Sequence, residues 1–148
     1  MKKFTFPLDR VLAWRRTQAR IEQTKLEKLQ QQLRDMDARI GGLASEENQA
    51  RQMVIPSPAS TGADLSAFDL FKRACSAQVK AIEKDRGMQE GRIREQQRVL
   101  ALKERDVKLL EKLREQKLAA CRYEHTKEID SQAEESYLAR WRKDVHRE

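Results

Sequence analysis

Few residues in this chain have the type and spacing to do chemistry. Cys121 and His125 stand four apart, on one face of any helix, and would supply two of the four ligands of a tetrahedral zinc site. No second pair completes the set, so the plainer reading is a filler thiol and a surface imidazole. Cys75 and Cys121 are too few and too far apart for a disulfide framework and read as reduced thiols. No Gly-rich phosphate loop or Walker lysine motif occurs. Gly87 and Gly91 have the spacing of close helix contact in membranes, but Arg86, Glu90 and Arg92 flank them, which favours a soft spot or bend in a charged helix. The sequence gives no parts for catalysis: no enzyme, cofactor or metal is expected.

Contact chemistry is better represented. Residues 1 to 20 carry six bases and one acid, residues 92 to 122 ten bases and five acids, and residues 124 to 135 five acids and one base. Phe4, Phe6 and Trp14 lie among Arg10, Arg15, Arg16 and Arg20; Tyr137 and Trp141 lie near the other terminus. Aromatic anchors among basic residues are where interfaces concentrate their energy. The alternative is that Phe4 and Phe6 only staple a helix start, that Trp14 packs on a neighbouring helix, and that the charges are an uneven solvated surface. Leu70 and Phe71 form a second candidate contact, because only Phe68 of that neighbourhood falls in a buried frame.

These residues must be positioned by helices. Ala, Glu, Lys, Leu and Arg make up 77 of the 148 residues, a composition of coiled coils and long helices. Leu26, Leu29, Leu33, Met36, Ile40 and Leu43 alternate steps of three and four, and the frame extends back through Ala19 and Leu12 to Leu8, broken only by Arg15 and Glu22. A stripe two residues wide in seven closes against one other helix and cannot build a globular core. A second frame runs through Leu65, Phe68, Cys75, Val79, Ile82, Ile93, Leu100, Val107, Leu110 and Cys121, interrupted by Arg86, Gln89, Gln96 and Lys103. Leu102, Leu109, Leu113 and Leu118 lie beside it, as a buried stripe drifting around the helix would. Glu90 with Arg94 and Glu104 with Lys108 have helical i,i+4 spacing.

The expected fold is all-α: an antiparallel two-helix coiled-coil hairpin with unequal arms. The first helix covers about 6–52, with Thr5 as N-cap and Pro7 just inside, and continues through Gly41 and Gly42. A loop follows at about 53–63, where Pro56 and Pro58 interrupt the chain. The second helix covers about 64–144 and starts at one of two capping boxes, Thr61 with Asp64 or Ser66 with Asp69. Antiparallel register pairs positions whose numbers sum to roughly 118, so Leu8 faces the region of Leu110 and everything after about 112 is a single-helix overhang. On that overhang Ile129, Ala133, Tyr137, Trp141 and Val145 form an apolar face, which an isolated helix gains nothing by having. No apolar run is long enough for a membrane span or a secretory segment, so the expected location is the cytoplasm, without membrane insertion.

The start Phe4-x-Phe6-x-Leu8-x-x-Val11-Leu12-x-x-Arg15, followed by a heptad helix, a short loop, a longer charged helix and a late Glu128-Ile129-Asp130, resembles the flagellar export protein FliJ family. The resemblance implies a non-enzymatic stalk similar to the rotor shaft of rotary ATPases. Its paired terminal ends would enter the export ATPase ring and promote its assembly. The stalk would link that ring to the cytoplasmic domain of the export gate and escort export chaperones, at the inner face of the cell membrane. Phe4, Phe6, Leu8, Arg10, Trp14, Arg15, Arg16, Arg20, Tyr137 and Trp141 would then meet the ring, and Leu70 and Phe71 the gate or a chaperone. The related stalk proteins of virulence type III secretion are an alternative. So are a generic basic coiled-coil adaptor, including a homodimer that buries its overhang against itself, and a nucleic-acid binder. The net charge of +7 permits the last, but acids are mixed into every basic segment and no nucleic-acid-binding module is recognisable, so no nucleic-acid partner is expected.

Overall fold

The computed structural model describes residues 4–145, with side chains described as far as Arg142. Two helices, α1 (Asp9–Val54) and α2 (Gly62–Val145), form an antiparallel hairpin with arms of 46 and 84 residues, and no strand occurs among the described residues. Val145, the last position of the expected overhang face, has its side chain outside the described residues, and Met1–Lys3 lie outside them altogether.

Helix α1 begins three residues later than the N-cap pattern predicts. The Asp9 N–H donates to the Phe6 carbonyl at 3.2 Å, a turn in which Pro7 takes the second position that its fixed φ suits. The α ladder opens with Leu12 N–H on the Leu8 carbonyl at 2.8 Å, and Asp9 puts a negative charge in the first turn. At the other end the Ser60 hydroxyl caps the Val54 carbonyl at 2.5 Å. Between the two candidate boxes the structure selects Thr61 with Asp64. The Thr61 N–H donates to Asp64 Oδ2 at 2.8 Å, and the Asp64 N–H donates back to Thr61 Oγ1 at 3.3 Å. Ser66 is already inside the helix, bonded to the Gly62 carbonyl, and Asp69 pairs with Arg73.

Gly41 and Gly42 leave α1 unbroken, and Gly87 and Gly91 leave α2 unbroken. A Cβ at Gly41, Gly42 or Gly87 would meet nothing within 4 Å, and one at Gly91 only the Arg94 side chain. The Gly87/Gly91 spacing is therefore not a point of close helix approach. One expected intrahelical pair is replaced: Glu90 bonds back to Arg86 at 3.0 Å. The other, Glu104 with Lys108, is not formed.

The chain divides into two compact units. In Arg20–Leu102, Leu26, Ile93 and Leu100 are buried together with Leu29 and Leu33 packed on them, and Leu43 and Cys75 are also buried. Polar residues of both frames meet within this seam. Gln96 Nε2 donates to Glu22 Oε2 at 2.6 Å and to the Glu22 carbonyl at 3.1 Å. Gln89, 2% exposed, donates to the Leu29 carbonyl at 3.1 Å and to Gln32 Oε1 at 2.8 Å. Arg86 reaches across to Asp37 at 2.6 Å, and that hydrogen bond, with the charges of Asp37 and Glu90, holds the guanidinium more firmly protonated than usual. These partners match the register expected from the loop.

The same unit corrects two expectations for the apolar frame. Leu65 is half exposed, because it lies in the first turn of α2 where α1 is about to end. Leu102 is also exposed: the seam follows Leu100, and the drift of the leucines does not carry Leu102 into it.

Candidate functional site

The second unit, Met1–Ala19 with Lys103–Glu148, contains nearly all the residues expected to meet a partner. Its core at the N-terminal end is Leu12, 2% exposed, and Phe6, 3% exposed. Phe6 is therefore part of the fold, not a free anchor; burying a side chain of this size contributes about 1.5–3 kcal/mol relative to leaving it in water. Phe4 and Leu8 are half-buried beside it.

Trp14 is 54% exposed, and the Arg15 guanidinium carbon lies 5.0 Å from its ring centroid, a cation–π contact that orients the indole. Arg15 also pairs with Asp106 at 3.2 Å. Arg16 places Nε and Nη2 on Glu111 Oε1 at 3.2 and 2.7 Å, and Arg114 meets Asp9 at 3.4 Å. These three pairs join α1 to α2 a few residues further along α2 than backbone opposition alone would give. Each side chain leans toward the N-terminus of its own helix, which raises the numbers of residues in contact across an antiparallel pair. Arg15 and Arg16, expected to attract an acidic partner, are thus already committed to acids of α2. Arg10 is exposed without an ion pair among the described residues, as is Arg20 in the other unit.

Two surface residues add to the expected set. Val11 is exposed one turn from Trp14, and their step of three beside the seam is the sequence signal for a second, outward stripe. Leu109 belongs to the leucines expected to drift into the buried stripe, yet it is 58% exposed. Val107 and Leu110 hold the seam instead, with Leu113 and Leu118 half-buried.

Beyond Cys121 every described residue of α2 is exposed, from Arg122 through Arg142, so the overhang starts about ten residues later than the expected 112, after a stretch in which Arg114 still pairs with Asp9 and Leu113, Leu118 and Cys121 are half-buried. Tyr123, Ile129, Tyr137, Leu138 and Trp141 are large apolar groups facing water along it. Cys121 is a half-buried free thiol, and no group of three or more His, Cys, Asp or Glu able to hold a metal ion occurs among the described residues.

The hairpin tip belongs to the unit Arg20–Leu102. Leu70 is 67% exposed and Phe71 38%, with Met53, Ile55 and Leu65 near them in sequence and also exposed. Residues 52–63 contain no charged side chain, and exposed Arg51, Asp64, Asp69, Lys72 and Arg73 flank the apolar groups on either side of them. Among the described residues no helix is long and apolar enough to cross a membrane. No family model, no curated protein and no solved structure matches the chain.

Proposed function

We propose that this chain is a non-enzymatic coiled-coil component of the flagellar type III protein export apparatus. In this reading it is a stalk whose terminal unit engages the export ATPase ring and promotes the ring's assembly and activity. Its tip, through Leu70 and Phe71, contacts the cytoplasmic domain of the export gate or an export chaperone. The protein then works in the cytoplasm at the inner face of the cell membrane, as a peripheral component.

The observation that carries the reading is the pairing of Asp9 with Arg114. It seats the start of α1 on α2 well before α2 ends at Val145, so one unit holds both a clasped double helix with Trp14 outward and a bare helix with Tyr137 and Trp141 outward. That is the arrangement expected of a shaft end that docks in a larger assembly. In this reading the chain makes and breaks no bond.

The test is ATP hydrolysis by a purified flagellar export ATPase titrated with the full chain. Arg10→Glu with Trp14→Asp changes only exposed groups and leaves Phe6 and Leu12 in place, so helicity is retained. Loss of stimulation is expected; stimulation equal to that of the unaltered chain discards the assignment.

A further inference from the structure

The terminal unit carries two surfaces of opposite character on one uninterrupted helix. Residues 103 to 122 carry seven bases and four acids. Asp106 and Glu111 are taken up by Arg15 and Arg16, and Arg114 by Asp9. Arg105, Lys108, Lys112 and Lys117 remain exposed without an ion pair among the described residues, alongside the uncovered Val11, Trp14 and Leu109. The next twenty residues reverse the net charge, with five acids against Lys127, Arg140 and Arg142. Glu124, Glu128, Asp130, Glu134 and Glu135 are exposed and without an ion pair among the described residues, alongside the uncovered Tyr123, Ile129, Tyr137, Leu138 and Trp141.

The two stretches match in length, each about 30 Å at 1.5 Å per residue. They match in content as well, with acids to meet bases and apolar groups on both. They cannot meet within one chain, because α2 is continuous from one into the other and has no hinge on which to fold back. A second copy removes that obstacle.

We propose that the acidic overhang of one chain, residues 123–142, lies along the basic clasped segment of a second copy, Lys103–Arg122 with the α1 residues around Trp14, and that the second copy returns the same contact. The arrangement is isologous and closed: one twofold axis satisfies both overhangs and leaves neither bare. It differs from overhang packing against overhang, which would bring Glu128, Glu134 and Glu135 of both copies together. The dimer does not depend on the export reading. It covers the surface that reading gives to the ring, so the ring and the second copy exclude one another.

Charge exchange in the full-length chain tests the pairing by sedimentation equilibrium. The unaltered chain should sediment at twice its 17.3 kDa. The triple variant Glu128→Lys, Asp130→Lys, Glu134→Lys, and separately Arg105→Glu, Lys108→Glu, Lys112→Glu, should each weaken self-association by at least ~100-fold through like-charge contact. An equimolar mixture of the two variants should recover the doubled mass, since each then offers what the other lacks. Circular dichroism confirms that both remain helical. A monomeric unaltered chain at 100-fold the concentration of a typical binding assay would overturn the proposal. So would a dimer indifferent to both triple changes, or a mixture that stays monomeric.

Discussion

Gln96 and Glu22 meet inside the seam between α1 and α2, the amide nitrogen 2.6 Å from the carboxylate and 3.1 Å from the Glu22 carbonyl. Each interrupts the apolar frame of its own helix, and the two interruptions coincide across the pair. A polar contact at a heptad position is worth less in stability than in register, because any slip of the helices takes from the Gln96 amide both its Glu22 acceptors, while Glu22 also accepts from Lys25 of its own helix at 2.9 Å.

That relationship predicts non-additive effects. Glu22→Leu alone should cost about 1–3 kcal/mol, since the Gln96 amide loses its carboxylate partner. Glu22→Leu with Gln96→Leu should regain that stability or exceed the unaltered chain by about 1–4 kcal/mol, as replaced buried polar pairs often do. Urea unfolding gives the energies, and spin labels at Lys28 and Arg94 should show a broader distance distribution in the double variant.

Gly41 and Gly42 lie in a continuous helix with open space where a Cβ would go. Gly41→Ala and Gly42→Ala should each stabilise the unit by up to about 1 kcal/mol, read from the urea midpoint.

The Asp64 carboxylate is held below its usual pKa by the backbone N–H and then the hydroxyl of Thr61. A lowered folded-state pKa means that the cap's contribution is complete above the ordinary carboxylate value of about 4 and is lost as pH falls through the lowered one. Amide exchange in the first turn of α2 should therefore accelerate relative to the middle of the helix as pH drops below about 4. Asp64→Asn should abolish that pH dependence.

Arg10 and Arg20 are exposed without an ion pair among the described residues, whereas Arg15 and Arg16 are paired. On the proposed export reading, reversing Arg10 and Arg20 to Glu should slow association with an export ATPase by roughly tenfold at low salt and by little at high salt, without loss of chain stability. Reversing Arg15 should also destabilise the hairpin, by about 0.2–1 kcal/mol for the half-buried, solvent-accessible Asp106 pair. Stopped-flow association at two ionic strengths, with parallel unfolding curves, separates the two effects.

Much of this architecture is legible in the residues. The three-four spacing from Leu26 to Leu43 requires a partner helix, Pro56 and Pro58 mark the connection, and the loop's brevity sets a register that Gln96 on Glu22 and Gln89 on Leu29 match. Fine placement is less legible, because it depends on competition among neighbours. Pro7 supports either a helix start or a turn, and the Asp9 N–H on the Phe6 carbonyl selects the turn. Leu102 and Leu109 fit a drifting stripe by spacing, but Leu100, Val107 and Leu110 already fill the seam. Phe6 and Trp14 look alike as aromatics near a basic end; only packing separates the buried ring from the exposed one. The arginines were readable as a charged cluster, but not which of them α2 neutralises.

The most direct measurement is hydrogen exchange by mass spectrometry on the full chain, at a concentration where it is monomeric, with and without a saturating export ATPase ring. The account predicts added protection in residues 4–19 and 103–142 and none in residues 53–71. Protection confined to residues 53–71, or no change anywhere, would contradict it.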